Sequence, residues 1–377
     1  MTRARETTPG ITLAGLTPAP AQQWGGVRLI PLLRDQVHGD LRLSQRKVDA
    51  RVVNVGDGTG YFAFMPHAFI VDWNAEGQPL AAHGAQLRSR DSRTPPRTTA
   101  VLHRMAKRED RNALRFVPLH LAMEGFLSLH FGGPDVAWTE YSREAMSRGL
   151  SPRSERSMPG LWLAGLADAL RVFEIHEHQV GVLVFVADAL ASAFVVPHPD
   201  DYRALHRSLL TDFYGELLYQ YGLLHDAVQN IDLHIDASRV HSLAGLRTAV
   251  QLGRDEWHAH TALLTTGLLE RETHWQNVYS AGPFRLRRFI GDLQPDRESH
   301  IGEAIVRSTG ELEYLKTFRL SAAQIRRAYL LGKLAAHDWH LGRTATALGD
   351  TYEGLLIRLR NAGFGHLLKP HILRDLR

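Results

Sequence analysis

The sequence predicts an α+β protein: a mixed strand-helix N-terminal domain followed by a mostly helical C-terminal region ending in a helix-turn-helix. Three observations carry that expectation. A dense β-prone run, Val180 to Val186, is followed by a short Ala187-Asp188 turn and a return run, Ala189 to Val196. Helical spacing then takes over in Pro199 to Gln220. The closing residues from Ser321 onward form a short trihelical pattern. The 377-residue length suits two or three domains. The expected divisions are 1–225 for the α+β domain, 226–320 for a central α/β linker or dimerisation region, and 321–377 for the helix-turn-helix.

Taken in order, residues 1–20 are polar and proline-punctuated, either a loose arm or a first edge strand around Ile11 to Leu16. Val27 to Leu33, Arg51 to Val55 and Tyr61 to Trp73 are apolar, aromatic and bounded by Gly or Asp, the composition of strands. Leu87 to Arg115 carries nine Lys/Arg against three acids and is broken by Pro95-Pro96. It reads as a surface loop or as a polyanion contact through Arg88, Arg90, Arg104, Lys107 and Arg108. Phe116 to Phe131 suits strands, whereas Trp138 to Arg148 and Gly160 to Phe173 have helical spacing. Beyond residue 225, Ile231 to Ile235 alternates like a strand, Leu243 to Leu252 and Trp257 to Glu272 look helical, and Val278 to Ile290 ends in an amphipathic FRLRRF strand.

Composition narrows the chemistry. Hydrophobic residues make up 44% and charged residues 22%, the balance of a water-soluble globular chain. Cysteine is absent, which excludes disulfides, thiolate metal sites and cysteine nucleophiles. No apolar run reaches the length of a membrane span, and the N-terminus lacks a signal-peptide core, so a cytoplasmic protein without membrane contact is expected. No cofactor and no catalytic residue is assigned: Gly56-Asp57-Gly58-Thr59-Gly60 lacks the Lys-Ser/Thr of a phosphate loop. His258-Ala259-His260 on a helix points its two imidazoles in different directions.

The closing segment is the most telling. Ile325, Tyr329, Leu330 and Leu334 recur at helical spacing, and His340-Leu341-Gly342 breaks the run. A compact Arg343 to Leu348 stretch follows, then Gly349-Asp350, then an amphipathic run with Leu355, Leu356 and Leu359. Ala345 and Ala347 permit close helix approach, and Gly349 suits the turn. These residues resemble the Fis-type helix-turn-helix of bacterial regulators. Arg343-Thr344-Ala345 is similar to that family's polar entry, Leu348-Gly349 to its turn, and Leu355, Leu359 and Gly363 to its closing apolar positions. Asp350 stands where the family usually has an apolar residue, and Tyr352 and Glu353 where it favours basic or hydroxyl ones. The resemblance implies a third helix that enters a DNA major groove, with Arg343, Thr344, Thr351, Tyr352, Arg358 and Arg360 as contacts. Residues 321–377 net +5, against +4 for the whole chain, so the first 320 net −1. Cationic charge gathered in the reader is what counterion release from phosphate requires. Double-stranded DNA and a second copy of the chain are therefore the expected partners, with nucleoid association following from the first.

Further upstream, QWGGVRLIPLLRD (ending at Asp35), FVPLHLAMEGFLSLHFGGP (116–134) and RVFEIHEHQVGVLVFVADALASAFVVPHPDDY (171–202) resemble the ARPP-2 family. Its name refers to association with ADP-ribosylglycohydrolases and rhodanese-phosphatase-superfamily proteins. The resemblance, over about residues 10–225, implies a domain near nucleotide or ADP-ribose processing and a nucleotide-like ligand, but no reaction. Within it, Pro197-His198-Pro199-Asp200-Asp201 resembles the HPDD core of LmbE-like zinc deacetylases. That likeness implies His198 and Asp201 as zinc ligands and Asp200 as base. The plainer reading of the same residues is a helix start, with acids at its positive end and Pro199 setting the entry. The leading expectation is an intracellular DNA-binding protein, a transcriptional regulator or DNA-associated stress factor, whose N-terminal part senses a ligand or dimerises. The alternative is an enzyme or accessory factor in nucleotide or ADP-ribose metabolism, a zinc hydrolase at the HPDD segment.

Overall fold

Val27–Leu33 and Gln179–Val186 are predominantly apolar, and in the computed structural model they lie side by side as antiparallel strands. The structure describes residues 6–8, 11–41, short strands between 53 and 116, residue 119, 165–228, 235, 238, 240–266, 273–293, 298–365 and 368. In chain order the first strands are β1 (Glu6–Thr8), β2 (Thr17–Pro18), β3 (Gln22–Trp24) and β4 (Val27–Leu33). Seven short strands follow: β5 (Val53–Asn54), β6 (Thr59–Phe62), β7 (Ile70–Trp73), β8 (Pro79–Ala82), β9 (Gln86–Ser89), β10 (Thr98–Ala100) and β11 (Arg115–Phe116). They form two small sheets, ordered β10-β8-β7-β11 and β5-β6-β9. Helix α1 (Leu166–Ala169) precedes the hairpin β12 (Gln179–Val186) and β13 (Ala189–Val195). Helix α2 (Pro199–Ser208), a π-helical segment (Leu209–Phe213), α3 (Gly215–Leu223) and the long α4 (Leu243–Thr266) come next. A four-strand meander, β14 (Thr273–Ala281), β15 (Phe284–Gly291), β16 (Ser299–Arg307) and β17 (Leu312–Leu320), leads into α5 (Ala322–Ala336), α6 (Leu341–Ala347) and α7 (Tyr352–Asn361).

One ten-stranded sheet organises these elements, in the order β1-β14-β15-β16-β17-β13-β12-β4-β2, with β3 also on β4. The meander of residues 273–320 is therefore hydrogen-bonded directly to β13, so residues on both sides of 225/226 share a single sheet. Every residue of β12 is buried because both faces are covered, which is why it reads, from Val180 on, as an unbroken apolar run rather than an alternating one. On one face Leu29, Val184, Phe194 and Phe318 pack with Tyr202, Leu209 and Phe213 from the α2–α3 layer. The same core continues into Ile325, Leu331, Leu355 and Leu359 of the closing helices. On the other, Ile30, Leu32, Phe185, Val195, Phe289 and Leu315 form a second core, against which Leu264 of α4 rests.

Several local expectations change. Ile11 to Leu16 is not a strand; β2 begins at Thr17. The single helix expected over Pro199–Gln220 is interrupted at Leu209–Phe213, where the Tyr214 N–H reaches back to the Leu209 carbonyl at 2.9 Å. That wider turn brings Leu209, Leu210, Phe213 and Tyr214 all onto the sheet. The two expected helices after Leu243 are one, and the strand expected at Val278–Ile290 is a hairpin with Gly282 at positive φ in its turn. Of the segment 116–131 all but Phe116 and Leu119, and with it 138–148, 231–234 and 267–272, lie outside the described residues.

Helix α5 starts at a capping box: Ser321 Oγ accepts from the Gln324 N–H, while the Gln324 side chain accepts from the Ser321 N–H. Ser321→Ala is expected to lower stability by about 1 kcal/mol, read as a shifted denaturation midpoint with unchanged slope. A midpoint equal to wild type would show that packing alone sets this helix start.

Candidate nucleic-acid interface

The chain from Ser321 to Phe364 folds as three short helices, of 15, 7 and 10 residues. Helix α5 buries Ile325, Ala328, Leu330, Leu331 and Leu334. Tyr329 departs from the apolar face expected for it: it is 47% exposed, with the Lys333 ammonium 5.2 Å from its ring. The chain leaves α5 earlier than the sequence suggested, through His337 to His340, with Asp338 and Trp339 both at positive φ. His340 then starts α6, its Nδ1 accepting from the Arg343 N–H at 3.1 Å.

The turn from α6 to α7 depends on Gly349, whose φ of 65° a side chain would oppose. Asp350 replaces the apolar residue of the resembled motif and has a polar task here. One of its oxygens accepts from the Thr351 N–H at 2.8 Å, the other from Arg358 at 3.1 Å. Thr351 caps α7, its hydroxyl accepting from the Gly354 N–H at 2.9 Å. Leu355, Leu356 and Leu359 anchor the helix inward. That spacing leaves Tyr352, Glu353, Ile357, Arg358, Arg360 and Asn361 on its exposed side.

Of the six residues expected to contact DNA, five lie at the surface: Arg343, Thr351, Tyr352, Arg358 and Arg360. Arg343 is loosely tied to Asp338 at 3.5 Å, and more than half of its side chain is exposed. Thr344 is different. It is fully buried and its hydroxyl donates to the His340 carbonyl at 3.0 Å, so it is a packing residue and cannot reach a phosphate. Its β-hydroxyl looks like a surface group in sequence, but the i−4 carbonyl satisfies it inside the helix. Of the polyanion candidates, Arg88 falls in β9; Arg90, Arg104, Lys107 and Arg108 lie outside the described residues.

The HPDD segment starts helix α2. His198 Nδ1 accepts from the Asp200 N–H at 3.1 Å, Pro199 occupies the first turn, and Asp200 pairs with Arg203 at 3.1 Å. Asp201 is buried. Among the described residues His198 and Asp201 have no third acid or imidazole placed to complete a metal site. His38, Glu311 and Glu313 do bring donor atoms within 4.8 Å of one another. Yet Glu313 already receives Arg34 at 3.0 Å and Arg307 at 2.6 Å, which a cation would have to displace.

Sequence reasoning missed a group of buried charges at the centre of the sheet. Arg288, Glu303, Lys316 and Phe194 are neighbours in register across β15, β16, β17 and β13. Glu303 and Lys316 are fully buried. Alternation within β16 and β17 placed them inward, but charged residue types read as solvent-facing.

Among the described residues no helix is long and apolar enough to cross a membrane. No curated protein and no solved structure matches the chain. A family model, ARPP-2, matches residues 11–282, from the loop before β2 through α4 to the end of β14. The match covers most of the chain and extends well beyond the span that its phrases suggested, so this protein belongs to the ARPP-2 family.

Proposed function

We propose that this protein is a double-stranded-DNA-binding regulator, reading DNA through α7 and using its large sheet domain to sense a ligand or to pair with a second copy. One observation carries the reading: α7 is held to the core by one leucine face while its capped N-terminus and two arginines stay at the surface. In this reading Tyr352 faces the groove, and Arg343, Thr351, Arg358 and Arg360 suit flanking phosphates. The excess of +5 over residues 321–377 supplies the long-range attraction. Glu353, exposed beside Tyr352, opposes phosphate and favours a cytosine amino group instead. A single reading helix covers one half-site, so a two-fold dimer follows as part of the proposal, as does a place on the nucleoid. The rival reading of a zinc hydrolase draws no support from His198, whose imidazole is used in starting α2.

The test is duplex-DNA binding by fluorescence anisotropy over a salt series. The Arg358→Ala/Arg360→Ala variant is expected to bind about tenfold more weakly. Its slope of log Kd against log salt should be shallower by roughly 2, about 0.9 for each phosphate no longer neutralised. Unchanged affinity and slope would remove α7 as the DNA-reading element.

A further inference from the structure

The buried charges at the sheet centre are positioned to do more than hold strands together. The carboxylate of Glu303 lies 3.5 Å from Arg288 Nε on one side and faces Lys316, its cross-strand neighbour, on the other. The Lys316 ammonium nitrogen sits among three rings, 4.0 Å from the centroid of Phe213, 5.1 Å from Phe318 and 6.0 Å from Phe194. Phe318 and Phe194 belong to the sheet, but Phe213 closes the π-helical segment of the layer above. The next residue, Tyr214, shares a 2.7 Å hydrogen bond with Ser192 of β13. A π-helical turn is a costlier packing than an α-helical one and tends to occur where a site is functional. Here it presents Phe213 to the buried amine beneath it.

We infer that the Arg288–Glu303–Lys316 row is a proton-linked latch, in which the charge on Lys316 sets how firmly the Phe213 segment is held on the sheet. An ammonium under a ring is attracted by the ring's negative face, strongly so when water is excluded, and a neutral amine is not. Glu303 holds that proton on Lys316 by its own negative charge, and Arg288 competes for the same carboxylate.

Burial sets the range in which the latch works. Loss of hydration pushes the Glu303 carboxyl up to about 7, against the opposing pull of Arg288 and Lys316. Burial also drives the Lys316 amine well below its ordinary value, with Glu303 raising it. The two groups titrate as a pair. In water they would keep one proton between them to above about pH 10; the loss of hydration of both groups brings that limit down. Protonation of Lys316 therefore increases as pH falls, and the latch is tighter on the acid side. His206 on α2 is lowered by burial to about 4, and burial raises the Tyr202 and Tyr214 phenols beyond reach.

The test is amide hydrogen exchange of residues 209–223 between pH 6 and pH 8, corrected for intrinsic exchange rates. Wild type is expected to lose protection there by roughly five- to thirty-fold toward pH 8. Glu303→Gln, with no carboxylate to hold the proton, is expected to show low protection already at pH 6 and no change up to pH 8. The paired Glu303→Met/Lys316→Met replacement removes both charges and keeps the fold; its protection is expected to be independent of pH. A flat wild-type profile, or the wild-type pH dependence retained in either variant, would overturn the latch.

Discussion

Glu313→Ala is expected to destabilise the protein by about 3–5 kcal/mol, the cost of stranding buried cations rather than the strength of any one bond. Glu313 is 1% exposed and accepts from Arg34, itself 2% exposed, at 3.0 Å and from Arg307 at 2.6 Å. Arg34 also donates to the Leu312 carbonyl at 2.7 Å, which fixes the guanidinium in place and prevents its escape to water. Burial already lowers the Arg34 pKa, with Glu313 the largest opposing influence. Chemical denaturation should report the loss as a lower midpoint at unchanged slope, with Glu313→Gln intermediate because the amide oxygen still accepts. A change below about 1 kcal/mol for Glu313→Ala would mean that water replaces the carboxylate. The outer end of the network has a pH signature. Arg307 grips Asp40 through two bonds of 2.7 and 2.8 Å, and this hydrogen bonding holds the Asp40 carboxyl below its ordinary value. A depressed carboxyl contributes stability that is present above the unfolded value of about 4 and disappears as pH falls through the folded value. Asp40→Asn should flatten that acid limb.

The second large effect is expected from Gly302→Ala, at about 3 kcal/mol. Gly302 sits mid-way along β16, paired with Phe289 and Thr317. A methyl group there would lie 2.4 Å from the Lys316 carbonyl oxygen and 2.4 Å from the Phe289 ring, which is fully buried. The carbonyl cannot retreat without parting β16 from β17, so the strain is not relieved by a side-chain rotation. Gly253→Ala is the control. It lies within α4 with nothing within 4 Å of the added methyl, and it is expected to stabilise by about 0.5–1 kcal/mol. Thermal melts that ranked the two substitutions together would show that glycine entropy, not crowding, governs both.

Local sequence was sufficient wherever apolar pattern and turn chemistry agreed. β4, the β12–β13 hairpin and the three closing helices are all legible as residues, because each carries its apolar face or its cap within a few positions. Ser321, Gly349 and Thr351 mark helix ends by bonds to neighbours in the chain. The surface positions of Arg343, Arg358 and Arg360 follow from the same spacing.

What the chain could not announce by itself were β16 and β17, and with them the single ten-stranded sheet. Glu303, Glu313 and Lys316 interrupt SHIGEAIVR and LEYLKTFRL with charges that ordinarily mark an exposed segment. They are buried because partners arrive from elsewhere: Arg34 is separated from Glu313 by 279 positions, and Phe213 from Lys316 by about a hundred. Thr344 reversed in the same way, from surface hydroxyl to core. Apolar burial is nearly pairwise-independent and leaves its period in the sequence. A buried charge is tolerable only beside a specific counter-group, and that pairing exists only once the strands have met.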